Sequence, residues 1–324
     1  MRILVLGGTQ FVGRHLVAAA LSRGHEVTLF HRGAGADPLF PEAEHRHGDR
    51  NGDLAALSAG AWDATLDVTA YLPRQVRSLA AALDGRGGHH TFISSVSAYV
   101  DPPGPGATEG APLRTIVDPL TEEVTAATYG GLKALCEAEV IAAYGAGALL
   151  IRPTYVIGPQ DVTGRYTWWV RRLARGGEVL VPGPATAPVQ VVDARDLADW
   201  TLGLLEAGTA GALHAALPAP PYSLGDLLAA TAAAVAPPGT TLTWAEPDFL
   251  LTRGVDGRAL PLWSRGAPAW ASAVDPTAAL ASGLSLRPLA ETARAVLADA
   301  ATVVPPGVGL DPGRETELLA ALTR

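Results

Sequence analysis

The chain has 324 residues, 48% of them hydrophobic and 17% charged, which suffices for roughly two domains or one large one and excludes disorder as a class. Lys+Arg 24 against Asp+Glu 32 leaves a net charge of −8, which argues against nucleic acid as a partner. One cysteine, Cys136, makes neither an internal disulfide nor a zinc cage, and no apolar run reaches the ~18 residues of a membrane span, so a cytoplasmic protein with no membrane partner is expected.

The first thirty residues read as strand, glycine turn, helix, strand. Arg2–Leu6 is a short apolar run, Gly7-Gly8-Thr9-Gln10 a turn, Phe11–Ser22 a helix, and residues 26–30 a second strand. Residues 43–47 read as a third strand, 53–58 as a short helix, 64–68 as a fourth strand, 73–84 as a helix and 89–94 as a fifth strand. A Pro- and Gly-rich loop follows over 101–119, then a helix over Tyr129–Tyr144 and a sixth strand over 148–151. Strands alternating with helices specify a doubly wound parallel α/β sheet of the Rossmann type.

After Pro159 the texture changes, and six of the seven tryptophans lie beyond it. Breakers cluster at 182–188, 218–221 and 237–238, while 189–206 returns to strand-then-helix and is expected to rejoin the sheet. Residues 305–312 read as a linker to a last helix over 314–322. The expected division is a dinucleotide-binding domain over 1–159 plus 189–215 and a smaller, discontinuous substrate domain over 160–188 plus 216–324.

Leu6-Gly7-Gly8-Thr9-Gln10-Phe11-Val12-Gly13 follows a strand and opens a helix. Glycines there let the backbone approach a pyrophosphate, and the helix N-terminus offers free N–H groups. Gly7, Gly8, Thr9, Gln10, Phe11, Val12 and Gly13 are therefore candidate cofactor-binding residues. The loop resembles that of the extended and atypical short-chain dehydrogenase/reductases, the NAD-dependent epimerase/dehydratase superfamily, with Gln10 in place of the middle of three glycines. The second strand ends Phe30-His31-Arg32-Gly33 with no acid to take a ribose 2′-hydroxyl. Arg32, helped by His31, suits a 2′-phosphate, so NADP is expected before NAD. Asp49-Arg50 resembles the superfamily's adenine-edge contact; the alternative for Asp49 is a turn aspartate.

Tyr129 and Lys133 stand four apart on one helix, and Lys133 is the only lysine in the chain. At that spacing phenol and ammonium share a face, and the ammonium favours the phenolate. The resemblance implies that Tyr129 is the acid/base and that Lys133 also holds the nicotinamide ribose. Gly130-Gly131 in the first turn would let a cofactor approach. Ser94-Ser95-Val96-Ser97-Ala98-Tyr99 resembles the superfamily's Ser-Ser-x-x-x-Tyr segment and implies Ser95 as the substrate-orienting hydroxyl, with Ser94 and Ser97 as alternatives. Val96 and Ser97 replace the acidic pair of sugar dehydratases. Tyr155 replaces the asparagine common in nucleotide-sugar enzymes. The frames at 152–159 and 192–198 also match, so the resemblance covers about residues 1–205.

On the substrate side, Tyr166, Trp168, Trp169, Arg171 and Arg172 could stack and pair an aromatic or anionic substrate, but a core helix with a solvated face is the first expectation. Ser97, Tyr155, Tyr166 and Trp169 are the substrate-site candidates. Trp244, Asp248, Phe249, Trp263 and Trp270 either line a lid or fill a small core. Cys136 reads as buried packing, and the eight histidines show no ligand spacing, so no metal is expected. The function expected is NAD(P)-dependent hydride transfer at a carbonyl or carbinol carbon of a small molecule. The alternatives are a sugar epimerase with tightly held NAD, and an NAD(P)-sensing or RNA-associated binding protein with little catalysis. The resemblance also implies, by analogy, a homodimer.

Overall fold

The computed structural model describes residues 1–33, 39–100, 104–217, 222–263 and 273–322. In chain order its elements are β1 (Arg2–Leu6), α1 (Phe11–Ser22), β2 (Glu26–His31), β3 (Glu44–His47), β4 (Ala64–Asp67), α2 (Pro73–Leu83), β5 (His89–Ile93) and α3 (Tyr129–Tyr144). There follow β6 (Leu149–Pro153), β7 (Tyr155–Ile157), α4 (Arg165–Ala174), β8 (Glu178–Pro182), β9 (Val191–Asp193), α5 (Ala194–Glu206) and β10 (Gly211–Ala215). The chain ends with α6 (Leu224–Val235), β11 (Thr241–Ala245), α7 (Pro247–Leu251), α8 (Thr277–Ala281), α9 (Leu289–Ala298) and α10 (Pro312–Leu322).

Seven strands form one parallel sheet in the order β10-β6-β5-β4-β1-β2-β3. The chain leaves β1 towards β2 on one side and reaches β4 on the other, so the crevice at the carboxyl ends of β1 and β4 is the topological switch point. β1 is apolar along its whole buried length, as a strand covered on both faces must be. The covering layer on one side is α1 packed on α5, with Leu16, Val17 and Ala20 against Leu197, Leu202 and Leu205. On the other, α2 lies beside α3.

The strand at 191–193 does not join this sheet. β9 pairs with β7 in a separate two-stranded ribbon, and the sheet's last strand is β10, in register with β6 from Gly211↔Leu149 to Ala215↔Pro153. The helix expected over 53–58 is a single 3-10 turn, Ala55–Leu57. A second core gathers Tyr166, Trp169, Leu173, Val179, Leu227, Leu228, Trp263 and Val296 from α4, β8, α6, α9 and the loop before 264, with Trp244 and Phe249 packed on its edge. That assigns the late tryptophans to packing; Trp270 and the breakers at 218–221 lie outside the described residues. Among the described residues no helix is long and apolar enough to cross a membrane.

Candidate active site

The glycine-rich loop of residues 7–13 occupies the switch point. Gln10 precedes α1 without a side-chain cap, and the first turn of α1 carries no acid. Its first N–H groups therefore face the crevice with their partial positive charge unanswered. Gly7 has φ +90°, and a Cβ there would stand 2.1 Å from Thr69 Cγ2; a Cβ on Gly13 would stand 1.9 Å from the Gly7 carbonyl oxygen. These two glycines bring loop, strand and helix to a separation no side chain permits. Gln10 is extended, at φ −133° and ψ 145°, so its position needs no glycine and the side chain lies at the cavity edge.

A cavity of about 500 Å³ runs from Gly7, Gln10, Phe11 and Val12 past Ser94, Ser95, Tyr129 and Lys133 to Tyr155, Val162, Arg165 and Leu262. Lys133 is buried and donates to the carbonyl oxygens of Ile93 (2.7 Å) and Ala70 (3.0 Å). Its ammonium also lies 4.3 Å from the Phe92 ring centroid and 5.2 Å from that of Tyr71. Two of its three N–H donors are thus used and one remains. Burial pulls its pKa down to about 8. Burial pushes the Tyr129 phenol up, opposed by a hydrogen bond with the Ser95 hydroxyl and by the Arg165 charge. Ser95 Oγ also accepts the Ser97 N–H at 3.1 Å. The Ser94 hydroxyl lies buried on the cavity wall with no hydrogen-bond partner among the described residues.

Gly130 and Gly131 serve α3 differently from the expectation of cofactor approach. A Cβ on Gly130 would stand 2.1 Å from the Ser97 carbonyl oxygen, and one on Gly131 3.1 Å from Ile116 Cβ. They let the helix close on the segment after β5, and that closeness sets Tyr129 beside Ser95.

At the far end of the crevice the proposed cofactor residues part company. Arg32 is exposed. His31 is engaged within the protein: Nδ1 accepts the Gly33 N–H, Nε2 meets His45 Nδ1 at 2.9 Å, and the ring packs edge-on against His47. Arg50 is engaged within the protein. It makes a bidentate ion pair with buried Asp67 (2.6 and 2.9 Å) and also bonds Thr69 Oγ1, tying the segment after β3 to the end of β4. That guanidinium holds the Asp67 carboxyl below its ordinary range against the opposing effect of burial. Asp49 accepts the Asn51 N–H and side-chain amide, the turn alternative.

Of the substrate-site candidates, Ser97 and Tyr155 line the cavity, while Tyr166 and Trp169 do not. Both rings are fully buried in the second core, Tyr166 bonded to Thr231 Oγ1 and Trp169 Nε1–H to the Pro261 carbonyl. The core covers α4 almost all round, Tyr166 to Val170 being buried without a break, and only its first residue, Arg165, lines the cavity. Arg171 and Arg172 are spent on the carbonyl of Thr302 and on Glu315. Arg165, Val162, Thr69, Tyr71 and Leu262 line the cavity without any sequence signal having singled them out for it.

The model of the NAD dependent epimerase/dehydratase family matches residues 3–59 and 53–215. The chain is 28% identical over 221 residues to the chloroplast stem-loop binding protein of 41 kDa b of Arabidopsis thaliana, covering 63% of this chain and 55% of that protein. It is 30% identical over 183 residues to the 4-hydroxy-2-methyl-3-oxo-4-farnesyl-3,4-dihydroquinoline-1-oxide ketoreductase of Stigmatella aurantiaca, covering 50% and 52%. The chain thus spans about half the length of these curated relatives. Among solved structures, the Bordetella bronchiseptica enzyme WbmH in complex with NAD+ superposes with a TM-score of 0.68 at 18% identity, over 94% of this chain and 99% of that one; the likeness establishes the shared fold.

Proposed function

The chain belongs to the NAD-dependent epimerase/dehydratase family, and from that premise we propose that it is an NAD(P)-dependent oxidoreductase acting at a carbonyl or carbinol carbon. The carrying observation is the convergence of Ser95, Tyr129 and Lys133 on the one cavity that also opens onto the glycine-rich loop. The residues present suit a dinucleotide: a glycine cradle too tight for any Cβ, an uncapped helix N-terminus, and a buried Ser94 hydroxyl with no partner among the described residues. In this reading the pyrophosphate rests on the N–H groups of residues 10–13, and Arg32 takes a 2′-phosphate. The free N–H of Lys133 and the Ser94 hydroxyl hold the nicotinamide half. A bound nicotinamide supplies or accepts the hydride.

The chain's own residues handle the proton. In the reducing direction Ser95 positions the substrate oxygen and Tyr129, kept protonated by burial, donates to it. Lys133 then stabilises the phenolate that remains. The apolar lining keeps water from competing for the proton. We assign the cofactor to the half formed by 1–159 plus 189–215 and the substrate to 160–188 plus 216–324.

A sugar epimerase with tightly held NAD is the second reading, favoured by the family match itself. Fluorescence titration with NADPH and NADH separates them, on protein first checked for bound nucleotide. Tight NADPH binding to empty sites supports the reductase and a carbonyl screen. Co-purifying NAD supports the epimerase. Binding of neither overturns both and points to the stem-loop-binding relative as the better guide.

A further inference from the structure

The cavity carries two cations, Lys133 and Arg165, and among the described residues no carboxylate lines it, in a chain whose net charge is −8. Lys133 is committed to two backbone carbonyls at the closed end. Arg165 stands at the mouth, exposed, its guanidinium 5.4 Å from the centroid of the Tyr155 ring, which also lines the cavity. Among the described residues that guanidinium has no ion pair. The nearby carboxylate of Asp161 is fully buried outside the cavity lining, and its Oδ1 accepts the Thr163 N–H at 2.8 Å. Arg165 is the first residue of α4 and lines the cavity, while Tyr166 and Trp169 beyond it are buried in the core.

Of the residues that line the cavity with Arg165 and Tyr129, Val96, Val156, Ile157, Val162 and Leu262 are apolar, Tyr155 adds its ring, and Ser97, Thr154 and Thr163 carry hydroxyls. No Asn, Asp, Glu or His joins them among the described residues. A sugar ring with several hydroxyls would leave most of them unpaired there, at a cost in affinity for each. An apolar body loses nothing against these walls. A fixed anion gains a charge-assisted contact with Arg165.

Building on the oxidoreductase reading, we propose that the site selects a carbonyl or carbinol substrate with an apolar body and a carboxylate, the carboxylate on Arg165, the body against Tyr155, Val162 and Leu262, and the reacting oxygen at Ser95 and Tyr129. Arg165 is then the specificity-determining residue.

The test compares two aldehydes of similar shape, 4-carboxybenzaldehyde and 4-methylbenzaldehyde. Each consumes one NADPH and one proton to give its benzyl alcohol and NADP+. The wild-type protein should favour the carboxylate in kcat/KM by about tenfold or more, mostly through KM, and less so as salt rises. Arg165→Ala should cut that preference by about tenfold, and Arg165→Lys should restore part of it. Equal use of the two aldehydes, or a preference unchanged in Arg165→Ala, overturns the proposal. A binding arm separates it from the oxidoreductase reading: calorimetry of 4-(hydroxymethyl)benzoate on NADP+-loaded protein. Binding that Arg165→Ala weakens, without turnover of either aldehyde, sinks the redox reading and keeps the anion site. No binding, or binding indifferent to Arg165→Ala, overturns the anion site whatever the redox result.

Discussion

Lys133 Nζ donates to the carbonyl oxygen of Ile93 at 2.7 Å, so the only lysine in the chain is fixed to the strand end that leads into Ser94 and Ser95. Among the described residues its buried charge has no carboxylate at ion-pair distance, and burial brings its pKa from 10.5 down to about 8. The unfolded chain therefore binds more protons than the folded one between about pH 8 and 10.5, and stability rises with pH across that window. Below it both states are protonated and the burial penalty, on the order of 3 kcal/mol, is fully present. Urea unfolding of the nucleotide-free protein should show a gain of about 2 kcal/mol between about pH 7.5 and 9.5 that is absent in Lys133→Met. A parallel pH dependence in the two proteins would show that another group is responsible.

Tyr129→Phe should lower kcat about 100-fold or more while leaving the NADPH dissociation constant within about threefold. In Ser95→Ala the hydrogen bond that opposes burial is gone, so the phenol rises further. Carbonyl reduction needs the protonated phenol, so the basic limb of the pH–rate profile should move to higher pH in that variant. A limb that stays in place would separate Ser95 from the tyrosine's proton.

Gly13→Ala puts a Cβ 1.9 Å from the Gly7 carbonyl oxygen, and Gly130→Ala one 2.1 Å from that of Ser97. Backbone blocks both, so the glycine-rich loop must open in the first case and α3 must lift from the β5 end in the second. Gly13→Ala should abolish NADPH binding. Gly130→Ala should keep binding but lose turnover about 100-fold, because it separates Tyr129 from Ser95. Titration and steady-state rates on the same samples distinguish the two.

Arg32→Ala should weaken NADPH about tenfold and leave NADH nearly unchanged, since only the 2′-phosphate would meet the guanidinium. His31→Ala should alter the ratio of the two affinities far less, because that ring is already occupied by Gly33 and His45. Equal losses for both nucleotides on Arg32→Ala would show that the guanidinium does not meet the 2′-phosphate.

Glu137 lies one turn beyond Lys133 and forms a bidentate ion pair with buried Arg152 (2.6 and 2.9 Å), whose other nitrogen bonds the Tyr99 hydroxyl at 2.6 Å. The pair pins α3 to β6. Glu137→Ala leaves the guanidinium buried and unpaired and should cost on the order of 3–5 kcal/mol, read as a fall in the urea midpoint. A loss under about 1 kcal/mol would show that Tyr99 and the Glu109 carbonyl hold Arg152 sufficiently without it.

The features written over short stretches of chain were legible before any coordinates. The strand–glycine–helix start, the alternation of strands and helices to residue 153, and the i, i+4 placement of Tyr129 and Lys133 depend on neighbouring residues and on the 3.6-residue helical period. Partnerships between distant residues were not legible. Arg50 is paired by Asp67, seventeen residues on. Tyr166 and Trp169 are held in a core where they bond Thr231 and Pro261. The sheet closes on 211–215 and not on 191–193 because β6 is the strand that β10 matches in register. Local pattern states which face of an element is apolar; only the folded chain decides what that face meets, because the energies involved are those of burial and pairing between residues far apart in sequence.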